Sequence, residues 1–438
     1  MAEASAQPPR CFISYSWTNP DHEEWVLQLG TELRQSGIDV VLDKWDLREG
    51  QDPHVFMEAM ITDDTITKVL LVCDAKYVER ANERSGGVGI ESQIISPKVY
   101  ASAKQTKFVA VVRERDADGR ALLPAYYGSR IYIDLSADDL MDGLKAGRPN
   151  LKGAAEDYLA SVLEGLAAFR IQGQHELLDE VIFQSIESLT PCENQILALL
   201  TTLSSYRSDE DAFHMTDRFF EALLAFNEAP ESARDYTEWH FDNFKFFSHE
   251  LFLSFVAFLV RRENFEFAAH LLSNRYYHPS RHGGPKSASF AHFWAGMPSL
   301  NGGRNKRLEL RRVSVHADLL KERCVGKPFS FEQMMQADFI LYLRDQIDRA
   351  RAKNDGGRRM WWPTTLLYRH DYDGAFEVFA RSESSAYFDR AKMLLGVQSK
   401  GELERFITDL PESRLPRWDY TTLDIPAAFG LELLASRP

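Results

Sequence analysis

Residues 68–74 read KVLLVCD, with five apolar side chains in a row between Lys68 and Asp74. A strand with one wet face alternates apolar and polar residues. A strand that is apolar throughout is covered on both faces, as in a parallel sheet with helices packed above and below it. Runs of the same kind recur on either side: CFISYS (11–16), IDVVLD (38–43), FVAVV (108–112) and IYIDL (131–135). Between them lie segments of helical period. WVLQLGTELRQSG (25–37) places Trp25, Leu29 and Leu33 four apart on one face, and Gly37 ends it. HVFMEAMIT (54–62) is helical, and so is 91–100, with Ile90, Ile94 and Ile95 toward the sheet and a kink at Pro97. The helix of 150–169 closes the domain. This alternation predicts an α/β N-terminal domain, residues 10–170, built as a doubly wound, flavodoxin-like, five-stranded parallel sheet.

Such a sheet binds ligands at the carboxyl ends of its strands. That edge gathers Ser14, Tyr15, Ser16 and Trp17 after the first strand, Asp43, Lys44 and Trp45 after the second, and Asp74 after the third. On the same side, SGGVGIESQI (85–94) packs three glycines into four positions ahead of Glu91. Glycine is costly to order on folding. Either the segment is an ordinary turn into a surface helix, or the glycines leave open space beside the carboxylate of Glu91. The other edge residues carry the same two kinds of reading. Asp43 serves a ligand or a turn, Trp45 stacks on a ring or packs its loop, and Asp74 caps a helix.

The chain has 438 residues, enough for two or three domains. It is 44% hydrophobic and 12% aromatic, which suits packed cores after a loose tail at 1–9. A net charge of −14 argues against general binding of nucleic acid or anionic membrane. One basic run, GGRNKRLELRR (302–312), reads as a solvated loop or as a phosphate contact. Cys11, Cys73, Cys192 and Cys324 are far apart and lack CxxC spacing, as expected of reduced thiols in a cytoplasmic protein. No signal peptide is read, and LFLSFVAFLV (251–260) is too short to span a bilayer, so it predicts a buried helix.

Residues 175–438 lose the strand–helix rhythm. Apolar residues recur at three and four in successive segments, which predicts an all-α C-terminal domain. WWP (361–363) reads as a junction between helices or a partner hot spot. There is no GxxxxGK[ST], no HExxH and no other close metal spacing, so no metal is expected.

The ordered pieces FISYSW, Trp25 and Leu29, VLDKWDLREGQD, FMEAMI, KVLLVCDAKY, GGVGIES and KFVAVV resemble a SEFIR domain, a relative of the TIR domain, over roughly two-fifths of the chain. Members of these families act as adaptors or hydrolyse NAD+. The resemblance implies an NAD+ glycohydrolase that depletes NAD+ in an abortive-infection antiphage defence and is activated by self-association. Glu91 would be its catalytic carboxylate. Tyr15 and Ser16 would border the ligand, and the loop 43–52, with Gly50 at its tip, would shape access. Gly87 stands where many relatives carry an aromatic, so ring stacking would come from Trp17 or Trp45. Glu49-Gly50 replaces a common Pro-Gly pair. NAD+ would be substrate, with no cofactor. The partners implied are further copies of the SEFIR domain and a phage-derived trigger sensed by the C-terminal domain. The alternatives are a non-catalytic SEFIR–SEFIR adaptor and an enzyme making a cyclic ADP-ribose signal.

The chemistry explains why one carboxylate would suffice. Breaking the nicotinamide–ribose bond builds oxocarbenium-like charge on the sugar. A fixed anion stabilises that charge, and nicotinamide leaves neutral without a general acid. In the first turn of its helix, Glu91 would be kept ionised by the helix dipole.

Overall fold

A computed structural model of the chain describes residues 9–35, 38–48, 50–83, 107–116, 120–125, 127, 132–136, 151–207, 209–229, 236–278, 286–352, 359–370, 373–418 and 421–437. It divides into two compact units, residues 1–142 and 143–438.

The first unit is built on four parallel strands: β1 (Arg10–Ser14), β2 (Asp39–Val41), β3 (Lys68–Cys73) and β4 (Phe108–Val112). Their order is β2-β1-β3-β4, and a two-residue segment, β5 (Ile133–Asp134), pairs beyond β4. The KVLLVC segment is thus interior to the sheet, pairing Val69 with Phe12 on one side and with Phe108 on the other. Alternate residues feed two cores. Phe12, Val69, Leu71, Cys73 and Ala110 lie on one face; Ile13, Val40, Val72 and Val111 lie on the other. That two-sided burial is what the unbroken apolar runs require.

Helices cover both faces. From α1 (Pro20–Gln35), Trp25, Leu29 and Leu33 pack on the face of Ile13. A short helical turn, α2 (Asp43–Asp46), follows β2. From α3 (Pro53–Thr62), Phe56, Met57 and Met60 pack on the face of Phe12, joined by Tyr77, Val78 and Ala81 of α4 (Ala75–Glu83). The helix expected over 91–100 lies outside the described residues.

The second unit is mostly helical. Its centre is the helix Asp242–Arg261, buried continuously from Phe246 to Val260. A helix that is apolar on all sides is a core helix. It packs against the helices Leu178–Ser188, Thr190–Tyr206 and Phe331–Arg351. The span Glu238–Arg261 is the one described helix long and apolar enough to cross a membrane, and it is 94% buried within the protein. Two findings amend the sequence reading. The helix Leu151–Leu166, expected to close the first domain, packs against Glu210–Leu224 in the second unit. Periodicity reveals an apolar stripe but not which core receives it. The second unit is also not wholly α. Tyr276–His278 pairs antiparallel with Lys286–Ala288, and Arg417–Trp418 with Thr421–Thr422. Strands this short leave no period to read.

Candidate functional site

β1 and β3 are neighbours, but the chain leaves β1 for β2 on one side and leaves β3 for β4 on the other. A crevice opens at the carboxyl ends of two strands whose connections diverge in this way. Two buried carboxylates stand there, one after β3 and one after β2.

Asp74 is fully buried. Its Oδ1 accepts hydrogen bonds from Ser16 Oγ at 2.6 Å and from the backbone N–H of Tyr77 at 2.7 Å. The second of these caps α4. Its Oδ2 accepts from Thr18 Oγ1. Asp43 Oδ1 accepts from the Tyr15 hydroxyl at 2.9 Å and from the Lys44 N–H at 2.7 Å, while its Oδ2 accepts from Trp17 Nε1–H at 2.8 Å. The segment 15–18 therefore threads between the two anions, donating alternately to each.

All the side-chain donors are neutral. Among the described residues, neither carboxylate has an ion pair with Lys or Arg; Lys44 turns instead to Glu23, at 2.7 Å. The nearest ring to Asp74 is His22, with Nε2 at 3.9 Å. Burial lowers the His22 pKa, against the pull of Asp74, so this imidazole is uncharged near neutral pH. Burial, reinforced by Asp43, pushes the Tyr15 phenol up, so it stays a donor. The edge is thus well satisfied in hydrogen bonds, and among the described residues no basic group is in ion-pair contact with either carboxylate apart from the His22 ring. Above it stands Trp17, 50% exposed, fixed through Nε1 by Asp43 and through its carbonyl, which accepts from Lys76 Nζ at 2.7 Å.

The SEFIR domain family model matches residues 9–139. The N-terminal unit is a SEFIR domain. A solved structure described as the crystal structure of a prokaryotic SEFIR domain is 41% identical to it over 32% of this chain and 88% of that one, with a TM-score of 0.27. No curated protein matches the chain.

Within this SEFIR domain, Tyr15, Ser16 and Asp43 do come together at the strand ends. The hydroxyls of Tyr15 and Ser16 are already committed to Asp43 and Asp74. Trp45 stands apart from the cluster. Its ring lies under the Arg34 guanidinium, 3.8 Å from the centroid, and a Cβ at Gly30 would meet it at 2.8 Å. Of the two readings of Trp45, packing is what it does. Gly50 has φ +85° with open space around it, a left-handed turn that favours glycine. Glu91 and Gly87 lie outside the described residues. Thr18, His22 and Tyr77 were not anticipated. Thr18 stands two residues beyond Ser16, on the same edge segment, and that adjacency was the available signal. The places of His22 and Tyr77 depend on how α1 and α4 pack. Among the described residues, no three of His, Cys, Asp or Glu converge as metal ligands. Cys11 is buried, which pushes its thiol up to about 11 and leaves it unreactive.

Proposed function

We propose that this SEFIR domain hydrolyses NAD+ and releases nicotinamide, with Glu91 as the stabilising carboxylate. Trp17 is the observation that carries the reading. An aromatic ring, half exposed and tethered at two points, stands at the edge where a doubly wound sheet takes its ligand. The nicotinamide ring of NAD+ is cationic. Two carboxylates whose own side-chain donors are neutral favour such a ring, and they favour the oxocarbenium-like charge that follows. A flavodoxin-like reading of the sheet, with the two-residue β5 taken as a fifth strand, supports this, since such folds place their ligand at the switch point. Self-association through the SEFIR domain would complete the site, as an antiviral effector held in check requires, and the second unit would hold the trigger's receptor.

A second reading, a non-catalytic adaptor, draws on the same atoms. Tyr15 and Ser16 have no free hydroxyl hydrogen to offer a substrate, and an exposed Trp also serves as a docking hot spot. Purified chain incubated with NAD+ at low and high protein concentration separates the two. Nicotinamide release that rises steeply with concentration and disappears in Glu91→Ala and Glu91→Gln supports the hydrolase. The same assay distinguishes linear from cyclic ADP-ribose. No release at any concentration supports the adaptor.

A further inference from the structure

The second unit contains a cavity of about 360 Å³. That is within the range of small-molecule sites, about 300–1,000 Å³. Five arginines line it: Arg275, Arg344, Arg349, Arg351 and Arg359. Asp345 and Asp348 pair with two of them and Glu402, outside the lining, with a third, so two positive charges remain uncompensated in a chain whose net charge is −14. Like charges repel, and a basic concavity in an acidic protein runs against the field of the whole molecule.

The arginines divide into two groups. Arg344 and Arg349 are nearly buried and held by protein partners. Arg344 Nε donates to Asp348 at 3.0 Å and its Nη2 to Ser273 Oγ at 3.1 Å, while Arg349 Nε donates to Asp345 at 2.9 Å. Arg351 is tied to Glu402 at 2.6 Å. These three build the wall, each with its charge met by a carboxylate. Arg275 and Arg359 are exposed at the cavity. Arg275 gives only its Nε–H, to Ser287 Oγ at 3.2 Å. Among the described residues, no partner meets its terminal nitrogens or the guanidinium of Arg359. A guanidinium presents a planar fork of donors that matches phosphate oxygens two at a time. The floor is apolar, with Leu272 and Phe290 buried beneath.

We infer that this cavity binds a small polyanion of the di- or triphosphate class, with Arg275 and Arg359 as its direct ligands and the ion-paired Arg344, Arg349 and Arg351 as its wall. The two surplus charges sit on planar donor forks suited to phosphate oxygens, and the volume admits little beyond one nucleotide. This site lies wholly in the second unit and does not depend on the proposed chemistry of the SEFIR domain.

The test is calorimetric titration of the full chain with pyrophosphate, ATP and adenosine at low salt. Pyrophosphate and ATP should bind, adenosine should not, and affinity should fall as salt rises, since the contacts are ionic. The Arg275→Glu/Arg359→Glu double variant, altered only at exposed positions, should lose at least tenfold in affinity with its thermal unfolding unchanged. Arg437→Glu, which reverses an exposed charge outside the cavity lining, should bind as the parent does. Absence of pyrophosphate and ATP binding overturns the inference. So does equal binding by the double variant, or adenosine binding as well as ATP.

Discussion

Each unit of this protein buries two acidic side chains close together, and the two solutions differ. At the edge of the SEFIR sheet, Asp43 and Asp74 are met by hydroxyls, an indole N–H and backbone amides. In the second unit, Glu193 and Glu250 are met by cations. Lys327 Nζ donates to Glu193 at 2.8 Å and to Glu250 at 3.0 Å, and Arg323 Nη2 reaches Glu250 at 2.8 Å. Burial together with Glu250 pushes Glu193 up to about 7. Burial would raise Glu250 too, but Lys327 and Arg323 outweigh it and hold that carboxyl below its usual range. Neutral donors fix an anion in place while leaving its field intact. Cations cancel the field and fasten the elements that carry them. The first arrangement suits a site that meets a positive ligand; the second is a clamp on the helices around Asp242–Arg261.

That contrast is breakable by substitution. The largest effect is expected from Lys327→Met, which leaves two buried carboxylates with one cation between them. The second unit should lose about 3–5 kcal/mol in denaturant unfolding, and a loss under about 1 kcal/mol would show that the clamp is not electrostatic. Asp74→Ala should come next. It removes the cap of α4 and the acceptor of Ser16 and Thr18, at a cost of about 2–4 kcal/mol in unfolding of the SEFIR unit. A cost as large as that of Lys327→Met would erase the distinction between the two networks.

A third prediction concerns pH. His316 is buried in the second unit with Nε2 2.9 Å from His249 Nδ1, and burial pushes its pKa down to about 3. The unfolded chain protonates this imidazole below about 6.5, whereas the folded one stays neutral. Its contribution to stability is therefore whole above pH 6.5 and is lost as pH falls toward 3. Between pH 6 and 4, the stability of the parent relative to His316→Gln should decline by about 1.4 kcal/mol per pH unit. A pH-independent difference would falsify the assignment of a neutral buried imidazole. The smallest effect on folding is expected from Trp17→Ala, about 1 kcal/mol, because the ring is half exposed but its Nε1–H is lost to Asp43. The same variant should release nicotinamide up to about tenfold more slowly if the ring stacks on the substrate. Unchanged release would assign Trp17 to a docking surface instead.

The legibility of the molecule follows the same division. KVLLVCD alone implied a strand covered on both faces, and the two cores on either side of Val69–Cys73 are that coverage. The strand ends were legible as well, so Tyr15, Ser16, Asp43 and Asp74 could be placed on one edge before any coordinates. Their partners were not. That Tyr15 binds Asp43 while Ser16 binds Asp74 depends on how a few residues after β1 turn between β2 and β3. The two uses of Trp45, stacking or packing, were open in the sequence as well; Gly30, whose missing Cβ admits the Trp45 ring, favours packing.

Local periodicity and side-chain chemistry, acting over a few residues, were enough to determine the parallel sheet, the residues at its carboxyl edge and the buried helix around 251–260. The allocation of the helix Leu151–Leu166 to the second unit, the pairing of buried charges across 77 residues between Glu250 and Lys327, and the gathering of five arginines around one cavity were decided by tertiary structure. These depend on distances between residues remote in the chain. An apolar stripe or a charged side chain states what it needs but not which distant group will supply it.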